Sequence, residues 1–141
     1  MYISIFEIFK IGIGPSSSHT IGPLNAALKI RDYINKNKLN VKKITITLHG
    51  SLAYTGVGHK TPQAIYLGLT GKKVSDVKNN EINTFDITSN NNYKLQFDNS
   101  TVDFSFSESI KTDKSNKYSN KPNPIQFSII LSDNTDINKI Y

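Results

Sequence analysis

Residues 42–71 read KKITITLHGSLAYTGVGHKTPQAIYLGLTG, and the fold class turns on how they are parsed. Ile44, Ile46 and Leu48 alternate with Thr45, Thr47 and His49, the period of two that marks a half-buried strand. This pattern puts His49 on the polar side, where it is expected to be exposed. SLAYTGVGHK is rich in small residues and reads as a loop. Thr61 then stands as an N-cap with Pro62 at the first helical position, and Gly71 closes a short helix.

Upstream, TIGPLNAALKIRDYINK (20–36) places Leu24, Ala27, Leu28, Arg31 and Ile34 along one side of a helix. Pro23 is tolerated in the first turn, where an N–H has no intrahelical partner to lose. GIGPSSSHTIGP (12–23) is a loop that delivers the chain into that helix. SIFEIFK (4–10) reads as a short amphipathic helix capped by Ser4. Downstream, Tyr93–Phe97 and Val102–Phe106 alternate around DNS and form a hairpin. KTDKSNKYSNKPNP (111–124) reads as a mobile polar excursion. IQFSIILSDNTDINKIY gives a strand, a turn at Asp133 to Asp136 and the start of another strand. Helices early and antiparallel strands late make an α+β fold, an antiparallel sheet packed against two or three helices, rather than a doubly wound sheet.

The 141 residues suit one domain, 1–141, large enough to bury a core unaided. The chain has no cysteine. A thiolate nucleophile, a disulfide framework and cysteine ligation of an iron–sulfur cluster are therefore excluded for this chain itself, and it supplies no metal site. Apolar runs fall short of the roughly 18 residues of a membrane span, and the N-terminus lacks the features of a leader. A cytoplasmic protein without membrane association is expected. The formal charge of +6 is nearly all lysine, with Arg31 the one arginine. Without arginine or interleaved aromatics, the charge does not indicate nucleic acid as a partner.

Two loops thus carry Ser, Thr and His to helix starts. Free N–H groups and the positive end of the helix dipole suit a small carboxylate or phosphate there. An anion site and a plain N-cap by Ser18 or Thr20 both fit these residues.

SIFEIFKIGIGPSSSHTIGP, HGSLAYTGVGHKT and AIYLGLTG, in this order and separation, resemble the N-terminal β domain of the bacterial iron–sulfur-dependent L-serine dehydratases, or L-serine ammonia-lyases. The resemblance is strong over residues 1 to about 73. It implies conversion of L-serine to pyruvate and ammonia, a [4Fe-4S] cluster held by a separate cysteine-bearing α domain, and a homo-oligomeric holoenzyme. It also implies a fold similar to the allosteric substrate-binding domain of some phosphoglycerate dehydrogenases. Carried onto this chain, the family's motif makes His59 the general base, while Ser16, Ser17, Ser18, His19 and Thr20 line the cradle for L-serine. The family has Lys where Val57 stands, Asp where Pro62 stands and His where Lys121 aligns. These departures keep a second reading open, a non-catalytic serine- or anion-binding regulatory module or a degenerate remnant of the enzyme.

Overall fold

The computed structural model describes residues 21–50, 52–53, 61–72, 92–115 and 124–141. In chain order the elements are α1 (Ile21–Lys36), β1 (Val41–His49), α2 (Thr61–Leu69), β2 (Tyr93–Gln96), β3 (Thr101–Phe104), α3 (Phe106–Ser109), β4 (Ile110–Asp113), β5 (Ile125–Leu131) and β6 (Asp136–Ile140). Four strands form one sheet in the order β4-β1-β5-β6, and β2 pairs with β3 in a separate hairpin. The α+β class is as expected. The sheet is mixed, however: β1–β5 and β5–β6 are antiparallel, whereas β4 runs parallel to β1 with Ile46 opposite Ile110 and His49 opposite Asp113.

β4 also corrects the expected polar excursion. Lys111, Thr112 and Asp113 belong to a strand, because β1 offers a free ladder edge and Ile110 packs against the core. Short runs with one apolar residue carry little periodicity of their own, so this strand is made by its partner. The four-residue helix α3 before it was also not foreseen. Ser105 Oγ accepts from the Glu108 N–H at 3.1 Å, and the Ser105 N–H donates to Ser109 Oγ at 3.1 Å.

The core lies between one face of the sheet and the helices, with the hairpin closing its side. Ile44, Ile46 and Leu48 of β1 and Ile125, Phe127 and Ile129 of β5 are buried, together with Leu24, Ala27, Ile30 and Ile34 of α1. All nine residues of α2 are buried. At its Gly68 α1 comes close: a Cβ there would lie 2.4 Å from Leu24 O and 2.7 Å from Ala27 Cβ. Tyr66, Tyr93, Phe104 and Phe106 form an aromatic cluster, with Tyr66 centroids 5.1–5.8 Å from the other three, a range suited to tilted and edge contacts. Burial, and secondarily Tyr93, raises the Tyr66 phenol above its ordinary pKa.

Both helices end in the same arrangement. Leu39 N donates to Ile34 O and Lys38 N to Asn35 O, with Lys38 at φ 52; Lys72 N donates to Leu67 O and Gly71 N to Gly68 O, with Gly71 at φ 96. These are the paired 6→1 and 5→2 bonds of the Schellman motif, which places one residue in the left-handed region.

Candidate functional site

Chain direction decides which side chains can share a site. Gly68 of α2 abuts Leu24 and Ala27 of α1. Further on, Arg31 Nη1 donates to Leu69 O at 2.8 Å and Arg31 Nε lies 3.1 Å from where a Gly71 Cβ would stand. Advancing along α2 therefore advances along α1, and the two helices run the same way. From that contact, α2 starts about 10 Å back and α1 between about 4 and 9 Å back, at 1.5 Å per residue. Their N-termini lie at the same end of the pair.

The sheet is oriented by its C-terminal strand. Lys139 Nζ sits 4.6 Å from the Tyr33 ring centroid, and Lys29 Nζ 5.8 Å from that of Tyr141. β6 therefore runs against α1, and β1 and β4, which share its direction, do so too. The last residues of β1 and β4 and the first of β5 accordingly fall at the end of the domain where both helices begin.

His49, Asp113 and Gln126 meet there. His49 is 1% exposed, which corrects the expectation of an exposed residue: alternation assigned the polar face of β1 rightly, but at this position Gln126 and Asp113 of the neighbouring strands flank the ring. His49 Nε2 lies 3.1 Å from Gln126 Oε1, and Nδ1 lies 3.7 Å from Asp113 Oδ2. The His49 backbone N–H donates to Pro124 O at 3.1 Å. A row of polar side chains continues across the sheet, since Gln126 Nε2 donates to Asn138 Oδ1 at 3.2 Å and Ser128 Oγ donates to the same oxygen at 2.8 Å. On α2, Thr61 and Gln63 are buried within the first turn, and Gln63 Oε1 has no hydrogen-bond partner among the described residues.

Ser16, Ser17, Ser18, His19, Thr20 and His59 lie outside the described residues, as do Val57 and Lys121. Their helices are described. Ile21 opens α1 two residues after His19, and Thr61 opens α2 two residues after His59. Sequence reasoning missed the His49–Asp113–Gln126 grouping. Asp113 was read within the polar excursion, and the only signal was a histidine ending a strand just before a small-residue loop.

Architecture and arrangement together define an α+β domain whose polar end gathers two helix starts and a buried histidine. The family model described as serine dehydratase beta chain matches residues 4–141, and the chain belongs to that family. Among curated proteins it is similar to L-serine dehydratase TdcG of Escherichia coli, 49% identical over 85 residues, or 59% of this chain and 19% of the relative. L-serine dehydratase of Helicobacter pylori is 52% identical over 68 residues, 48% of this chain and 15% of that protein. L-serine dehydratase of Streptomyces coelicolor is 49% identical over 73 residues, 50% and 16%. The matches thus cover less than a fifth of each of these relatives.

The donor set does not fit an iron–sulfur cluster. The chain has no thiolate, and no group of three or more His, Asp or Glu side chains suited to a metal occurs among the described residues. No helix among them is long and apolar enough to cross a membrane.

Proposed function

We propose that this chain contributes the serine-binding part of an L-serine ammonia-lyase, with Ser16, Ser17, Ser18, His19 and Thr20 as the cradle and His59 as general base. What supports the reading is the shared direction of α1 and α2, which brings the starts of both motif-bearing helices to one end of the domain. Hydroxyls and helix N–H groups at such an end suit the carboxylate of L-serine. A neutral imidazole, with an ordinary pKa near 6.5, suits removal of the Cα proton. Loss of the Cβ hydroxyl then leaves an enamine that tautomerises and hydrolyses to pyruvate and ammonia. The chain has no thiolate, so a cysteine-bearing α domain is the partner that would bring a cluster.

The experiment supplies that α domain anaerobically and measures pyruvate from L-serine. The isolated chain is expected to form none above background and to bind L-serine at millimolar strength or weaker, on the order of 4 kcal/mol. The assembled enzyme is expected to turn over, and His59→Ala to lower its kcat by at least about 100-fold, within the range for removing a general base. Pyruvate from the isolated chain would refute this division of labour.

A specific feature favours the second reading. Pro62 is buried in the first turn of α2, where the resemblance leads one to expect an aspartate, so that carboxylate is missing. Serine binding without turnover in the assembled enzyme, with turnover restored by Pro62→Asp, would identify the chain as a binding module that has lost its chemistry.

A further inference from the structure

We infer that the cavity between α3 and the first half of β1 binds a free α-amino acid as its zwitterion, with Lys43 and the hydroxyls of Ser105 and Ser109 taking the carboxylate and Glu108 taking the ammonium. The inference is independent of the function proposed above, because every group it uses lies among the described residues and none is a cradle residue or His59.

Topology makes the cavity. Ile110 of β4 stands opposite Ile46, so α3, which leads into β4, lies beside the first half of β1 and not its end. The space left there measures about 290 Å³, close to the lower bound of about 300 Å³ for small-ligand sites, so the occupant is small. Because β1 runs toward the end where the helices start, the cavity lies toward the other end of the domain.

Four charged side chains among the described residues line it, and two of them are already engaged. Lys42 Nζ donates to Asn134 Oδ1 at 3.4 Å, and Asp103 pairs with Lys94. Lys43 and Glu108 make no ion pair among the described residues, with each other or with any other group. Opposite charges that face one cavity without meeting leave room for a molecule that carries both. A lone anion or cation would be attracted by one of them and repelled by the other.

The hydroxyls add direction. Ser105 and Ser109 are buried. Ser105 Oγ accepts from the Glu108 N–H and Ser109 Oγ accepts from the Ser105 N–H, each at 3.1 Å. A backbone donor thus fixes each oxygen, while the hydroxyl hydrogen, which no described acceptor takes, is left for an incoming one. A carboxylate is that acceptor, and an ammonium from Lys43 strengthens its capture. One turn of chain supplies both hydroxyls and the Glu108 carboxylate, so the two poles of the ligand are received side by side, as an α-amino acid requires.

The test is a ¹⁵N–¹H titration of the labelled chain with L-alanine, propionate and ethylamine, the last two each carrying one of the two charges of the first. L-Alanine is expected to move the Lys43, Ser105, Glu108 and Ser109 amide resonances saturably, with a Kd of about 1–10 mM. Propionate and ethylamine should bind at least about 10-fold more weakly, since each lacks a charge-assisted contact. Glu108→Gln and Lys43→Gln, both at exposed positions that leave the core intact, should each weaken L-alanine binding by about 10-fold. Lys42→Gln should change it by less than about 3-fold, because that ammonium is turned to Asn134. Propionate binding as tightly as L-alanine would mean that the lysines merely collect anions, and would overturn the proposal. Undiminished binding in Glu108→Gln would do the same, as would the lack of a saturable shift at these residues up to about 100 mM, roughly ten times the weakest Kd expected. Shifts confined to Ser16–Thr20 and His59 would support the cradle while overturning this second site.

Discussion

At the end of the domain where α1 and α2 stop, the chain is tied down by backbone geometry and one arginine; at the end where they start, it is organised by polar side chains. Arg31 makes the first case. Its Nη1 donates to Leu69 O and to Gln96 O, both at 2.8 Å, and its guanidinium lies 5.5 Å from the Phe97 ring centroid. One side chain thereby joins α1, the end of α2 and the hairpin. The hairpin turn adds two more links, Asp98 N donating to Asn35 Oδ1 at 2.9 Å and Val41 N donating to Ser100 Oγ at 3.1 Å. At the opposite end, Gln126 and Asp113 flank His49 from the two neighbouring strands, at 3.1 Å and 3.7 Å. The difference teaches that, among the described residues, one end is held by side chains bonded to backbone groups and the other by side chains that meet one another across the sheet.

Changes at the fastened end should lower stability and leave the proposed L-serine binding intact. The largest effect is expected from Gly68→Val. A Cβ there would stand 2.4 Å from the Leu24 carbonyl oxygen, so the helices must separate, at a cost of about 3 kcal/mol in urea unfolding. A loss of under 1 kcal/mol would mean that the helix pair yields easily and that the fastened end is not rigid.

Arg31→Ala should come next, at about 2 kcal/mol, since it leaves two carbonyls without their charged donor. Arg31→Lys should recover less than half, because an ammonium cannot reproduce the guanidinium's fork or its stacking. If either variant weakened serine binding as much as it lowered stability, the two ends would not be independent.

The two helix ends provide the finest test. Gly71 at φ 96 accepts the left-handed conformation freely, whereas Lys38 at φ 52 bears a Cβ in it. Gly71→Ala is expected to cost about 1–2 kcal/mol from the strained conformation, and the new Cβ would also press on Arg31 Nε at 3.1 Å. Lys38→Gly relieves about 1–2 kcal/mol of strain but adds about 0.4–1 kcal/mol of unfolded-state entropy. The net is a gain of about 0.8 kcal/mol, readable as a small rise in the urea midpoint. A destabilising Lys38→Gly would show that the lysine stem packs usefully where it lies.

Much of this was legible from local chemistry. The alternation of Ile44, Ile46 and Leu48, the Pro62 and Gly71 punctuation of α2, the hairpin around Asp98–Ser100 and the Asp133–Asp136 turn each appear where expected. The expected helix at 4–10 and the site residues Ser16–Thr20 and His59 lie outside the described residues.

The sequence by itself determined the elements whose signals lie within a few residues of one another, because caps, turns and periodicity act over one or two turns of chain. It also carried the family in two motifs that the match over residues 4–141 bears out. The tertiary structure alone decided that Lys111–Asp113 become a strand, that α1 and α2 run in one direction, that Arg31 reaches both Leu69 and Gln96, and that His49 is buried between Gln126 and Asp113. Each of these depends on partners between 38 and 77 positions away for the side chains, a separation at which nothing in local conformational preference says which groups will meet. Their pairing is settled only when the strands align and the core closes.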